Sequence, residues 1–182
     1  MKSLALAALL ALTPVAASAA CQLAPMSQVQ AVTSATNQYR ARSGAPALTV
    51  SDKLSMAAQK HACYIAASGQ FSHTGSGGSS VGKRVSAEGY GYSLAGENLA
   101  GGHPNTMTAQ TVVQMWAGSS GHAGNMLNPG FSQTGVGMTT AQNGDVIWVA
   151  VYAAPGQPRK VIRRVIQQPQ RENAHGAWGR KF

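Results

Sequence analysis

Between Met26 and Arg42 the apolar positions Val29, Val32, Ala35 and Tyr39 recur at intervals of three and four, the spacing that one helix face requires. "SGAP" then ends the pattern. A second helix is predicted from Ser51, whose hydroxyl suits an N-cap, with Asp52 in the first turn facing the positive end of the helix dipole. Leu54, Ala58, Ala62 and Ile65 form its buried stripe and Gly69 stops it. The Gly/Ser-rich "HTGSGGSSVGKR" reads as a loop, followed by a short helical piece from Lys83 to Glu88. A fourth helix, from Thr106 to Ser119, gathers Met107, Val112, Met115 and Trp116 on one side. "TGVGMTT" and "DVIWVAVYA" are β-branched or alternating runs separated by "QNG", whose Asn-Gly favours a tight turn. Helices first and antiparallel strands last predict an α+β domain, not a parallel doubly wound sheet.

The two ends break this pattern. Residues 1–20 carry Lys2, the apolar run "LALAALLALTPVA" and small residues ending in "ASAA", the three-part design of a secretory signal peptide. Pro14 interrupts the run, which is shorter than the roughly 20 residues that span a bilayer, and no later stretch is long enough. The expected product is therefore secreted or periplasmic, without a transmembrane segment after signal removal. The remainder, about 160 residues, suits one domain (21–154) with a real core. From 155 the composition turns to Gln, Pro and Arg, which predicts a basic, flexible tail over 155–182.

Charge adds a little to the picture and cysteine more. The net charge of +9 is mostly a property of that tail, because half of the fourteen Lys and Arg residues lie at or after Arg159. This allows polyanion binding through the tail but specifies no nucleic-acid partner. Cys21 and Cys63 are the only cysteines. In an oxidising compartment they read first as one disulfide, tying the mature N-terminus to the second helix. The alternative is lipid anchoring at Cys21, against which Ser18 stands where a lipoprotein signal usually has leucine.

Candidate chemistry is sparse. "GGSSVGKR" satisfies G-x-x-x-x-G-K, but Arg84 replaces the magnesium-binding Ser or Thr and no strand precedes it, so it is a loop. His73 in "FSHTG", Glu97 in "GENLA" and His122 in "GHAGNMLNP" are separated by gaps too long for spacing alone to unite them. Trp116 reads as a core residue. Asn98 and Asn125 read as fasteners of loop backbone. His103 is a candidate rim residue, and His61 has no assignable role.

The blocks "TNQYRARSGAPALTVSDKLSMAAQKHACYIAASGQFSHTG", "RVSAEGYGYSLAGENLA", "QTVVQMWAGSSGHAGNMLNPGFSQTGVGM" and "GDVIWVAVYA" together resemble, in order, the CAP superfamily (SCP domain). The group includes cysteine-rich secretory proteins, antigen-5 allergens and plant pathogenesis-related proteins. The resemblance implies an α-β-α sandwich with a three-stranded antiparallel sheet between helices. It also implies a cleft lined by two histidines and two acids, which takes a divalent metal in some members. Carried over by motif, these are His73, Glu97 and His122, while Ser119 occupies the position of the second acid.

Two neutral imidazoles can bind Zn2+ or another divalent cation, with Glu97 as a third ligand or as the outer acceptor that fixes a ring tautomer. A hydrolytic zinc site also needs an open water position and a base, and the incomplete tetrad leaves no second acid for that role. The expectation is thus a binding protein for a cell-envelope, lipid or protein ligand. A metal-dependent hydrolase of peptidase type, using His73, His122 and Glu97, is the runner-up, weakened if Glu97 is itself a ligand.

Overall fold

The computed structural model describes residues 21–156. Of the tail expected over 155–182, Pro155 instead closes the last strand, and residues 157–182, like the expected signal peptide, lie outside the described residues. Five α-helices and four strands follow one another among the described residues: α1 Met26–Arg42, β1 Thr49–Val50, α2 Asp52–Ser68, α3 Val81–Ala87, β2 Tyr92–Gly102, α4 Ala109–Ala117, α5 Ser120–Leu127, β3 Gln133–Thr140 and β4 Val146–Pro155. A single 3-10 turn, Ser76–Gly78, precedes α3.

The sheet runs in the order β1-β3-β4-β2. The β2–β4 and β3–β4 pairs are antiparallel, and the two-residue β1 adds to β3 in parallel. The three-stranded antiparallel sheet of the expectation is therefore present, with one short parallel edge strand beside it. No sequence periodicity could reveal β1, because two residues carry no pattern.

Central β4 is buried on both faces, as its near-continuous apolar run requires. Trp148, Ala150 and Tyr152 face one core with α1 and α4, including Val32, Val112 and Trp116. Ile147, Val149, Val151 and Ala153 face the other with α2, including Leu54, Ala58 and Ile65. Together the two cores make the helix-sheet-helix layering that the resemblance implies.

Helix α2 lies directly on β3. A Cβ at Gly135 or Gly137 would strike the α2 backbone at Leu54–Ser55 or Ala58–Gln59, so the glycines of "TGVGM" set this close approach. Gly69 ends α2 in the left-handed conformation, φ 69°, where glycine costs least. The Cys21–Cys63 disulfide forms, with Cα atoms 5.9 Å apart, and ties the start of the described chain to α2 as the cysteine count predicts. Among the described residues no helix is long and apolar enough to cross a membrane.

The segment "SGHAGNML" is a correction. It forms helix α5, separated from α4 by a sharp break, where the sequence pattern predicted a loop after one longer helix. Arg40, fully buried on α1, holds the far end of α5: its guanidinium donates to Met126 O at 2.6 Å and Asn128 O at 3.0 Å, and to Pro46 O and Phe131 O. A cation at a helix C-terminus meets the carbonyls that the helix leaves unpaired.

Candidate functional site

Strand β2 is one edge of the sheet, and the site is built across that edge from both layers. Glu97 and Asn98 are adjacent on β2, so their side chains point to opposite faces. Glu97, only 5% exposed, turns towards α2 and α3. Asn98, fully buried, turns towards α5.

On the first face the Glu97 carboxylate accepts from His73 Nδ1–H through Oε1 at 2.9 Å and from Arg84 Nη2 through Oε2 at 2.6 Å. Arg84 also donates through Nη1 to Ser79 O at 2.7 Å and His73 O at 3.2 Å, so one guanidinium braces both the acid and the His73 loop. Because a carboxylate only accepts, the His73 proton resides on Nδ1 and the Nε2 lone pair is free. That ring is 61% exposed and lines a depression of about 360 Å³ with Thr74, Ser80, Val81 and Glu97.

On the second face Asn98 Nδ2 donates to His122 O, and Asn125 Nδ2 donates to Glu97 O and Asn98 Oδ1. These two asparagines pin α5 to β2, joining helix to strand where the pattern suggested loop fastening. His122 sits in the first turn of α5, half-buried. Burial, reinforced by the nearby His73, lowers its pKa below the ordinary histidine value. His73 and Glu97 are thus in direct contact, while His122 approaches from the other layer without a hydrogen bond to Glu97. Ser119 is the residue before α5 and makes no capping bond with its side chain.

Two residues of this site escaped the sequence reading. His61, 1% exposed on α2, donates from Nε2 to Ser72 O at 2.9 Å and lies 3.7 Å from Glu97 Oε1. Burial is the main cause that lowers its pKa, with Glu97 opposing. Its signal was its place on the stripe between Ala58 and Ile65, where a histidine must be buried. Arg84 had a different signal: Glu97 is set among apolar residues in a chain with only five acids, and a buried acid requires a cation. Trp116 is a core residue as expected, donating to Leu99 O at 2.9 Å. His103 is exposed and takes Asn105 N–H within its own turn.

The family model described as "Cysteine-rich secretory protein family" (CAP) matches residues 33–152. The chain belongs to the CAP family. Its CAP domain is 33% identical over 102 residues to the Bacillus subtilis protein YkwD, covering 56% of this chain and 38% of that one. An extracellular SCP-domain protein of Bacillus anthracis is similar at 26% identity and TM-score 0.59, over 70% of this chain and 40% of that chain. The chain thus spans under half the length of these two Bacillus relatives. An outer surface protein of Borrelia burgdorferi shares the fold at 20% identity and TM-score 0.62, over 69% and 90% of the two chains. So does NaASP2, solved with Zn2+, at 14% identity and TM-score 0.51, over 74% and 91%.

Proposed function

We propose that this CAP protein is an exported binding module whose β2-edge cleft holds a divalent cation through His73 and His122 and engages a cell-envelope, lipid or protein ligand there. The observation that carries the reading is the commitment of Glu97. One oxygen fixes the His73 tautomer and the other is held by Arg84. A carboxylate that orients a histidine from outside the metal leaves the far ring nitrogen to coordinate.

The residues fit a two-imidazole ion completed by water. They do not fit a three-ligand hydrolytic centre: no group of three His, Cys, Asp or Glu able to hold a metal stands together among the described residues. The Arg84 cation on Glu97 further opposes a metal at that carboxylate. With Ser119 in place of a second acid and Glu97 occupied, no carboxylate is left to act as a base, and the binding reading is preferred over the hydrolase.

Zinc is the probe, since a protein of this fold was solved with it. Calorimetric titration of the chain from Cys21 onward is expected to give one Zn2+ site, lost in His73→Ala with His122→Ala and weakened about 10 to 100-fold in Glu97→Gln. Affinity should fall between pH 7.5 and 5.5, because imidazole must be unprotonated to coordinate. Equal binding by the double variant removes the site, and complete loss in Glu97→Gln makes Glu97 a ligand after all.

A further inference from the structure

The sequence has five acids, and all but Glu172 lie among the described residues. Three of these are compensated. Glu97 meets Arg84 at 2.6 Å and Glu88 meets Lys60 at 2.7 Å, while Asp52 sits in the first turn of α2, where the helix dipole favours a negative charge. Asp145, in the turn between β3 and β4, has no ion-pair partner among the described residues.

That turn holds the carboxylate in place. Ala141 N–H donates to Asp145 O at 2.8 Å and Gly144 N–H to Ala141 O at 2.9 Å, with Gly144 at φ 86°, where glycine is favoured. Asn143 binds Asp145 twice: its Oδ1 accepts from the Asp145 N–H at 3.1 Å, and its Nδ2 donates to Asp145 Oδ2 at 2.8 Å. Asp145 Oδ1 is left without a hydrogen-bond partner among the described residues.

The same residue lines a cavity of about 410 Å³ between the C-terminal end of α2 and this turn, which shares no lining residue with the His73 depression. Small-molecule and side-chain sites start at about 300 Å³. Ala66, Ala67, Ala141 and Phe71 give the cavity an apolar wall. Phe71 is 54% exposed yet seated: its ring and Ile147 cover Gly101 on β2, where an added Cβ would lie 2.9 Å from Phe71 Cε2 and 3.2 Å from Ile147 Cδ1.

An uncompensated carboxylate beside an apolar wall suits a cation on an apolar stem, the pattern of a lysine side chain. An ammonium needs one oxygen, and Oδ1 is open. A guanidinium fork grips two and would compete with Asn143 for Oδ2. Gln142, exposed on the same rim, makes no side-chain hydrogen bond among the described residues, and its amide offers the donor and acceptor that complement a peptide group.

We propose that the cavity between α2 and the β3–β4 turn docks a lysine side chain of a partner polypeptide. The stem lies along Phe71, the ammonium meets Asp145 Oδ1, and the partner's main chain passes Gln142. The site stands independently of cation binding in the cleft.

The test uses the peptide acetyl-Gly-Lys-Gly-amide, its norleucine and arginine analogues, and n-pentylammonium, followed by NMR at the Phe71 ring and the Asn143 side-chain amide of the chain from Cys21 onward. The lysine peptide is expected to shift both saturably. The norleucine peptide should bind about tenfold more weakly, the worth of one charge-assisted contact, and the arginine peptide and n-pentylammonium should also fall behind. Asp145→Asn, which keeps the size of the side chain, should bring the lysine peptide to the norleucine level, and Phe71→Ala, at an exposed ring, should weaken it about fivefold. The proposal is overturned if the lysine peptide gives no saturable shift, if the norleucine or arginine peptide matches it, or if Asp145→Asn has no effect. A match by n-pentylammonium would make a free amine the ligand and overturn the polypeptide partner. So would movement of the same resonances by Lys160→Ala with Lys181→Ala in the absence of peptide, which would make the chain's own tail the occupant.

Discussion

Arg40 and Arg84 are both largely enclosed, one in each layer, yet their hydrogen bonding is finished to different degrees. Arg40 spends Nε, Nη1 and Nη2 on four backbone carbonyls around the end of α5 and faces no carboxylate in those contacts. Every partner is main chain, so the arrangement can only hold structure. Arg84 pairs with Glu97 and two carbonyls but leaves its buried Nε without a hydrogen-bond partner. The same contrast separates the layers: the α1 side holds α5 through Arg40, and the α2 side gathers His61, His73 and Arg84 around Glu97.

If Arg40 is purely structural, Arg40→Met should have the largest effect of the set. Four backbone carbonyls, two of them buried, lose their donor, and a stability loss of about 3 to 5 kcal/mol is expected, roughly 10 °C or more in Tm. Thermal denaturation followed by circular dichroism measures it, and a loss below about 1 kcal/mol would break the contrast.

For Arg84 the expectation is smaller and depends on its partner. Arg84→Met strands the Glu97 charge and should cost about 2 to 3 kcal/mol, whereas Arg84→Met combined with Glu97→Gln should recover at least about 1 kcal/mol. Urea unfolding of the two single variants and the double variant gives the coupling. Strict additivity would show that the two side chains do not act as a pair.

The smallest effect is the pH dependence of stability. Burial holds the folded pKa of both His61 and His122 below the ordinary histidine value of about 6.5, so the unfolded chain binds protons more readily in that window. Their contribution is complete above about pH 6.5 and is lost as pH falls towards the folded pKa values. Melting temperature should therefore drop between pH 7 and pH 5, by less than either arginine substitution costs. His61→Gln should flatten that slope, and an unchanged slope would remove His61 from the account.

Local pattern determined much of this molecule. The intervals of Val29, Val32 and Ala35, and of Leu54, Ala58 and Ile65, are enough to place α1 and α2, because a helix buries one face at a repeat that the chain itself displays. The apolar run at 146–153 likewise declares a strand buried on both sides. Cysteine count was enough for the Cys21–Cys63 bond, since two thiols allow one pairing. His73, Glu97 and His122 were legible as motif residues through the family resemblance, never through spacing.

Tertiary structure alone decided the rest. The parallel pairing of Thr49 and Val50 with β3 joins residues more than eighty positions apart, and two residues have no periodicity to announce it. Helix α5 depends on Arg40 and on Asn98 and Asn125, which reach it from α1 and β2 as well as from within. The partnership of His61, Arg84 and Glu97 has the same origin: an ion pair and a hydrogen bond depend on distance in space, and only the packing of α2 and α3 onto the edge strand makes those distances short.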